Sequence, residues 1–247
     1  PTWRSPRRTA TMRRMEISPT ASPELLDAVV HETGPAPTWT VLWLHGLGAD
    51  GNDFSPIVPE LVRKDWPALR FVFPHAPVRA VTINGGARMR AWYDIRDMDL
   101  DNRADHEGVA ESVVQVDALI AREGERGVPA SRVLLIGFSQ GGAVTLAAGL
   151  ARKTPLAGLA GLSTYLPMPP DRAAASLQPG ATSQPLFMGH GQFDPVVPYA
   201  GGELSAQAMR ELGFEVQWHR YPMQHAVCAE EIRDLGDWMG ARCGAGS

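Results

Sequence analysis

Residues 133–142 read Val-Leu-Leu-Ile-Gly-Phe-Ser-Gln-Gly-Gly, and this stretch decides the fold. Four apolar residues come first, as in a strand that is buried on both faces of a parallel sheet. The pattern Gly-x-Ser-x-Gly follows around Ser139, and an apolar helical segment comes directly after it. A strand that turns this tightly into a helix strains the serine backbone and needs glycine on both sides. The stretch therefore predicts a sharp strand-to-helix turn with an exposed hydroxyl at its tip.

Short apolar runs before and after this stretch in the chain predict the other strands of a sheet. We predict strands at residues 25–30, 40–44, 69–73, 133–136, 156–162, 186–188 and 215–221. Apolar residues at helical spacing predict helices at residues 107–123, 143–151, 203–212 and 229–239. The last strand alternates apolar and polar residues, which suits a position near the sheet edge. Because strand and helix alternate throughout, we predict an α/β fold with a mostly parallel central sheet and helices on both faces.

The domain organisation follows from composition. The 247 residues are 44% hydrophobic and 20% charged, as in a globular protein. We expect one domain, residues 23–247, preceded by a disordered or extended tail, residues 1–22. Residues 171–185 are rich in Ala, Ser, Pro and Gly, and we predict a surface loop there.

The tail differs in charge from the rest of the chain. Residues 1–15 contain no acidic residue and five arginines: Arg4, Arg7, Arg8, Arg13 and Arg14. The remaining residues hold the other 18 of the 23 basic side chains and all 27 acidic ones, a net charge of −9. An acidic body binds the phosphate backbone of nucleic acid poorly, so we expect no nucleic-acid partner. No apolar segment of about 7–15 residues follows the arginines, so we do not interpret them as a targeting peptide.

The cysteines and the hydropathy bear on location. Cys228 and Cys243 are the two cysteines of the chain, too few for a disulfide framework at this length. We therefore expect a reducing compartment, the cytoplasm. No stretch approaches about 18 consecutive apolar residues, so we expect no integral association with a membrane.

Ser139 is a candidate nucleophile, and a serine hydroxyl needs a base that accepts its proton. His225 follows the last predicted strand and so lies at the carboxyl edge of the sheet, where ligands of open α/β sheets bind. Another predicted strand leads to Asp194 at the same edge, and this carboxylate suits the role of orienting the histidine. The order Ser139, Asp194, His225 is that of α/β-hydrolases. Two alternatives stay open: His190 as the base, which would precede the acid, and Asp171 as the acid, which lies in the predicted loop.

Two backbone amides are candidates for an oxyanion hole. The amide of Gln140 stands at the start of the helix after the serine, where the helix dipole favours negative charge. The amide of Leu47 lies in a glycine-rich loop, residues 44–51, that follows a predicted strand. Glycines let such a loop approach a ligand closely, so we assign Leu47 as the second donor.

Together these segments resemble the carboxylesterase and acyl-protein thioesterase family, particularly its small bacterial carboxylesterases. Six stretches carry the resemblance: residues 44–54 (LHGLGADGNDF), 73–95 (FPHAPVRAVTINGGARMRAWYDI), 137–142 (GFSQGG), 162–167 (LSTYLP), 189–198 (GHGQFDPVVP) and 225–231 (HAVCAEE). The resemblance implies an α/β-hydrolase without a large cap domain that hydrolyses carboxylic or thiol esters with Ser139, Asp194 and His225. It implies no cofactor and no metal, and it makes a homodimer plausible. One departure is Gln224, where the family usually has glycine before the histidine; we expect it to narrow the mouth of the site.

The same segments bear on the substrate. By matching position, Trp92 falls in a family segment that lines the acyl-binding side. We expect an apolar acyl pocket formed by Leu47, Trp92, Val196 and Val197, with Phe138 either in this pocket or in the core.

The length of the segment between Ser139 and Asp194 limits the size of the substrate. Little room is left there for an inserted lid, so an open site should favour short-to-medium acyl esters of a small-molecule or lipid-like kind. Three alternatives remain: an acyl-protein thioesterase or a lysophospholipase with the same residues, and a non-catalytic small-molecule binding module on the same fold.

Overall fold

The computed structural model describes residues 25–97 and 103–244, so the predicted tail, residues 1–22, lies outside the described residues. The described strands are β1 (Ala28–Glu32), β2 (Trp39–Leu44), β3 (Leu69–Pro74), β4 (Val78–Val81), β5 (Ala87–Arg90), β6 (Val133–Phe138), β7 (Gly158–Leu162), β8 (Leu186–Gly191) and β9 (Val216–Tyr221). The described helices are α1 (Val58–Leu61), α2 (His106–Glu125), α3 (Gln140–Ala151), α4 (Pro170–Ser176), α5 (Tyr199–Glu211) and α6 (Ala229–Cys243). Short 3₁₀ turns are formed by Ser55–Ile57, Thr82–Asn84, Ala130–Arg132 and Ala181–Ser183.

The central sheet has seven strands in the order β1-β3-β2-β6-β7-β8-β9. Strand β1 pairs antiparallel with β3, and all other neighbours in the sheet are parallel. Strand β9 lies at one edge, as its alternating pattern predicts. Strands β4 and β5 form a separate antiparallel hairpin.

The apolar runs are continuous because both faces of the sheet are covered. Successive side chains of a strand point to opposite faces. On one face Leu42 and Leu135 pack with α2, α3 and α5, and on the other Val41 and Leu134 pack with α1 and α6. Full burial of one such side chain contributes about 1.5–3 kcal/mol. The sheet is therefore a rigid platform for the loops at its carboxyl edge.

The order of the strands creates a crevice at that edge. The chain passes from β2 to β3 on one side and then crosses to β6 on the other side of β2. The segments that leave the carboxyl ends of β2 and β6 therefore diverge, and ligands of open α/β sheets bind at such a switch point.

The structure corrects the predicted loop at residues 171–185. Helix α4 occupies Pro170–Ser176, and a 3₁₀ turn follows at Ala181–Ser183. Pro170 in the first turn, Asp171 near the helix N-terminus and a run of alanines favour this helix. No helix in the described ranges is both long and apolar enough to cross a bilayer.

Candidate active site

Ser139 stands alone between β6 and α3 in a strained conformation, with φ 54° and ψ −118°. Such a backbone costs about 1–3 kcal/mol and persists only where the surroundings enforce it. A Cβ on Gly137 would lie 2.3 Å from the carbonyl of Gly141, and a Cβ on Gly141 would lie 2.4 Å from the carbonyl oxygen of Leu44. Both glycines are therefore required by the close approach of strand, helix and loop. Thr164 fixes the turn by donating its hydroxyl to the Ser139 carbonyl at 2.7 Å.

A chain of hydrogen bonds joins Ser139, His225 and Asp194. Nε2 of His225 lies 2.9 Å from Oγ of Ser139, and Nδ1 of His225 lies 2.7 Å from Oδ2 of Asp194. The carboxylate accepts a hydrogen bond from Nδ1–H, which leaves Nε2 unprotonated and able to accept the serine proton. The structure thus brings together the three side chains that the sequence singled out, although 86 residues separate the serine from the histidine.

Asp194 is held as an anion although it is buried. Its side chain is 0% exposed. Its Oδ1 accepts hydrogen bonds from the amides of Val196 at 2.8 Å and Val197 at 2.9 Å. Burial alone would raise the pKa of Asp194, but the hydrogen bonds from His225, Val197 and Val196 outweigh it and hold this pKa below its ordinary value. The carboxylate is therefore ready to stabilise a positive charge on His225.

Neither alternative residue reaches the nucleophile. The ring of His190 is fully buried, and its Nε2 donates to the carbonyl of Val197 at 2.9 Å, so it supports the loop of Asp194. Burial lowers the pKa of His190, which keeps the ring neutral. Asp171 lies exposed in the first turn of α4.

A cleft of about 490 Å³ opens at Ser139 and His225. Its apolar lining residues are Leu47, Ala49, Phe54, Phe138, Val196, Ala226 and Val227. The ring of Phe138 has its centroid 4.8 Å from that of His225, and it packs on the core as well. The cleft is thus a mostly apolar groove that contains Ser139 and His225 and is also lined by the carboxylate residue Asp53.

The predicted acyl pocket needs two corrections. Leu47 and Val196 line the cleft, but Trp92 and Val197 do not, because both side chains are 0% exposed and belong to the core. Gln224 also differs from expectation: its side chain is exposed and is absent from the cleft lining. Phe54 also lines the cleft, and the sequence does not predict this role. The residues before it, 50–53, are polar or glycine, so the pattern indicates a surface turn.

The two predicted oxyanion donors belong to segments next to the nucleophile. Gln140 is the first residue of α3, and Leu47 lines the cleft from the loop after β2. His45 shapes that loop: its Nδ1 donates to the Gly46 carbonyl at 2.7 Å, and its Nε2 accepts from the Ala76 amide at 3.0 Å. Burial lowers the pKa of His45, which keeps the ring in this neutral form. Sequence reasoning missed this role because the bond to Ala76 forms only in the folded chain.

The geometry is that of a serine hydrolase, and comparison with known proteins agrees. The model of the phospholipase/carboxylesterase family matches residues 26–241. The chain belongs to this family. Within the described ranges, no cluster of three or more His, Cys, Asp or Glu side chains could hold a metal ion.

Similar members of the family come from fungi and plants. The acyl-protein thioesterase 1 of Yarrowia lipolytica is 40% identical over 211 residues, covering 83% of this chain and 92% of the relative. That of Cryptococcus neoformans is 36% identical over 221 residues, with the same coverage. The crystal structure of Arabidopsis thaliana SOBER1 has 30% identity and a TM-score of 0.78, covering 83% of this chain and 98% of the other. Family membership makes the fold an α/β-hydrolase fold and the chain a serine ester or thioester hydrolase.

Proposed function

We propose that this enzyme hydrolyses carboxylic and thiol esters of short-to-medium acyl groups through an acyl-enzyme on Ser139. The observation that carries the proposal is the unbroken hydrogen-bond path from Asp194 through His225 to the serine hydroxyl, which lines a mostly apolar cleft. Each member of the path is oriented by its neighbour, as proton transfer in acyl transfer requires.

Acylation uses the path in one direction. As Oγ of Ser139 attacks the ester carbonyl carbon, its proton passes to Nε2 of His225, and the Asp194 carboxylate stabilises the imidazolium. The carbonyl oxygen becomes an oxyanion, for which the amides of Leu47 and Gln140 are the proposed donors. When the tetrahedral intermediate collapses, His225 gives the proton to the leaving alcohol or thiol.

Deacylation repeats these steps with water. His225 removes a proton from the water that attacks the acyl carbon, and returns it to Oγ of Ser139 as the carboxylic acid leaves. Every proton is returned within the cycle, so the three side chains and the two amides suffice for the chemistry.

The shape of the site supports the substrate class. Between β6 and β8, a stretch that the structure describes throughout, the chain forms α3, β7, α4 and a short 3₁₀ turn, and no domain is inserted there. A mostly apolar groove that includes the nucleophile suits the acyl chain of a small-molecule or lipid-like ester. A second candidate is the thioester of an S-acylated protein, because the two fungal relatives are named acyl-protein thioesterases.

Location and assembly complete the proposal. Cys228 and Cys243 are free thiols, which suits a reducing compartment such as the cytoplasm. A homodimer remains part of the proposal on the strength of family resemblance.

The test is a set of p-nitrophenyl esters from C2 to C16 with the wild type and Ser139→Ala. We expect the substitution to lower kcat/KM by about 10⁴–10⁶-fold and to abolish labelling by a fluorophosphonate probe, with the melting temperature preserved. The matched control is Ser183→Ala, an exposed serine that should label like the wild type. Activity of Ser139→Ala above a few per cent of wild type would refute the nucleophile, and a rate maximum at C16 would refute the chain-length assignment. Release of acyl groups from an S-acylated peptide at a higher kcat/KM than from the esters would favour the second candidate.

A further inference from the structure

The two proposed oxyanion donors lie on different elements, and the sheet alone does not fix the distance between them. Leu47 follows β2, and Gln140 begins α3 after β6. The strands pair up to Leu44 and Gly137, three residues short of each donor. An oxyanion hole works only when its donors are held in place before the reaction, since small displacements cost large factors in rate.

A third segment bridges the two donor segments. It is residues 90–93, which lead out of the β4–β5 hairpin. The indole Nε1 of Trp92 donates to the carbonyl of His45 at 2.9 Å, and the amide of Gly48 donates to the carbonyl of Arg90 at 2.9 Å. The loop that carries Leu47 is thus tied to this segment on both sides of the donor.

The side chain of Gln140 ties the same segment to helix α3. Its Oε1 accepts from the amide of Trp92 at 2.9 Å, and its Nε2 donates to the carbonyl of Tyr93 at 2.7 Å. Both contacts are buried, so each would leave an unsatisfied polar group if the partner were lost. The two bonds need one acceptor and one donor at the end of the same side chain, which an amide supplies and a carboxylate or thioether does not.

Trp92 is anchored from behind as well. Its carbonyl accepts a hydrogen bond from the hydroxyl of Ser112 on α2, and its side chain is 0% exposed. The bridge therefore rests on a helix that packs against the sheet, and it has little freedom to shift when substrate enters.

We propose that the Gln140 side chain and Trp92 are positioning residues that set the separation of the Leu47 and Gln140 amides. The inference rests on the proposed function and deepens it: the hairpin segment locks the oxyanion hole, and the buried Trp92 acts on the reaction without touching substrate. Gln140 then contributes twice, with its backbone amide to the oxyanion and with its side chain to the bridge.

The experiment compares Gln140→Met with Gln184→Met. Gln184 is a matched control because it is also buried, and its amide also bonds main chain at both ends: Oε1 accepts from Leu156, and Nε2 donates to Gly149 and Ala181. It sits at the far end of α3, away from the cleft. Methionine keeps the approximate volume and removes the side-chain hydrogen bonds, two at Gln140 and three at Gln184.

We expect Gln140→Met to lower kcat about 10–100-fold, with KM within about twofold, because only transition-state contacts are disturbed. Its affinity for an alkyl boronic acid, which forms a tetrahedral adduct on Ser139, should fall by a similar factor. Gln184→Met should lose thermal stability to a comparable extent and keep kcat per active site. Trp92→Phe, which removes the indole donor, should lower kcat about 3–10-fold by the same mechanism.

The outcomes separate the two proposals. A kcat of Gln140→Met within twofold of wild type, per fluorophosphonate-titrated site, would overturn the positioning role while leaving Ser139 as nucleophile. Equal losses of kcat in Gln140→Met and Gln184→Met would overturn it too, because the effect would then reflect general destabilisation. If Ser139→Ala keeps its activity, the proposed function itself fails. Should Gln140→Met prove too unstable to purify, Trp92→Phe and the boronic acid affinity decide the question.

Discussion

The two ends of the central sheet each bury a carboxylate, and they use it differently. At the amino end, Glu123 accepts a hydrogen bond from Thr40 at 2.6 Å and pairs with Arg70 at 2.8 Å and Arg126 at 3.1 Å. Each of these partners donates to Glu123, and none of them contacts a catalytic residue. This closed set ties α2 to the first residues of β2 and β3.

At the carboxyl end, Asp194 is the start of a directed path. Val196 and Val197 satisfy one of its oxygens, and the other bonds His225, whose second nitrogen meets Ser139. Histidine is a partner whose charge changes near neutral pH, whereas arginine keeps its charge. A buried carboxylate therefore stabilises the fold when its partners have fixed charges, and serves chemistry when one partner is able to pass on a proton.

The substitution Asp194→Asn tests most directly whether the proton path runs through this carboxylate. The amide should still accept the Val196 and Val197 bonds, but its NH₂ group faces Nδ1 of His225 and favours the wrong tautomer. We expect kcat to fall about 10⁴-fold with little loss of stability. Steady-state kinetics with p-nitrophenyl butyrate measure the effect, and Glu123→Gln serves as the control at the other end. A decrease of less than tenfold would show that the path does not run through Asp194.

The reverse result is expected for Glu123→Ala. Its loss leaves Thr40 without its acceptor and Arg70, whose side chain is only 12% exposed, with Glu32 as its remaining carboxylate. We expect the free energy of unfolding to fall by about 2–3 kcal/mol, less than for a fully buried pair because Glu32 remains. Urea unfolding measures this change, and kcat of the folded enzyme should stay within about twofold. A large loss of kcat would mean that the two ends of the sheet are coupled.

A third buried carboxyl, Glu231 at the start of α6, has neither kind of partner. It is 0% exposed, and neither of its oxygens has a hydrogen-bond partner among the residues that the structure describes. Burial, and to a lesser extent the charge of Asp234, raise the pKa of Glu231 to about 8. The group is therefore neutral at pH 7 in the folded protein and ionised in the unfolded chain.

This difference in protonation fixes the direction of a pH effect. Between the unfolded pKa near 4.5 and the folded value near 8, the folded state binds one proton more. Stability from this group is therefore full below about pH 4.5 and is lost as the pH rises to about 8, by at most about 1.4 kcal/mol per pH unit. In Glu231→Gln this slope should vanish, so unfolding curves of the two proteins at pH 5, 6, 7 and 8 should diverge steadily. Parallel pH profiles would show that Glu231 is ionised in the folded protein.

The sequence predicts the residues at the carboxyl end of the sheet better than the segments that pack around them. Ser139, Asp194 and His225 each follow a recognisable strand, so their common edge follows from parallel topology alone. Strand β8 extends to Gly191, beyond the predicted end at residue 188. The prediction stops early because Gly189 and His190 end the apolar run, although both residues are buried in the strand.

The bridge across the oxyanion hole was beyond prediction for a different reason. His45, Trp92 and Gln140 are separated by more than 45 residues along the chain, and no local pattern encodes their contacts. The sequence does not predict the β4–β5 hairpin that precedes Trp92 either. Its two strands are four residues long and include only one buried residue, so they lack an apolar run. The sequence therefore predicts a substrate contact at Trp92, whereas the structure places this side chain in the core.

The tip of that hairpin has a consequence for how the chain tolerates change. Gly85 and Gly86 both have positive φ, and an added Cβ at either would meet nothing within 4 Å. This open space is confined to the two glycines, because Ile83 beside them packs against the core and donates its amide to the carbonyl of Ile95 at 2.9 Å. Extra residues inserted between Gly85 and Gly86 should cost mainly loop entropy, which grows slowly with length. We therefore expect a tag inserted between these two glycines to be tolerated, whereas replacement of either glycine is strained because of its positive φ.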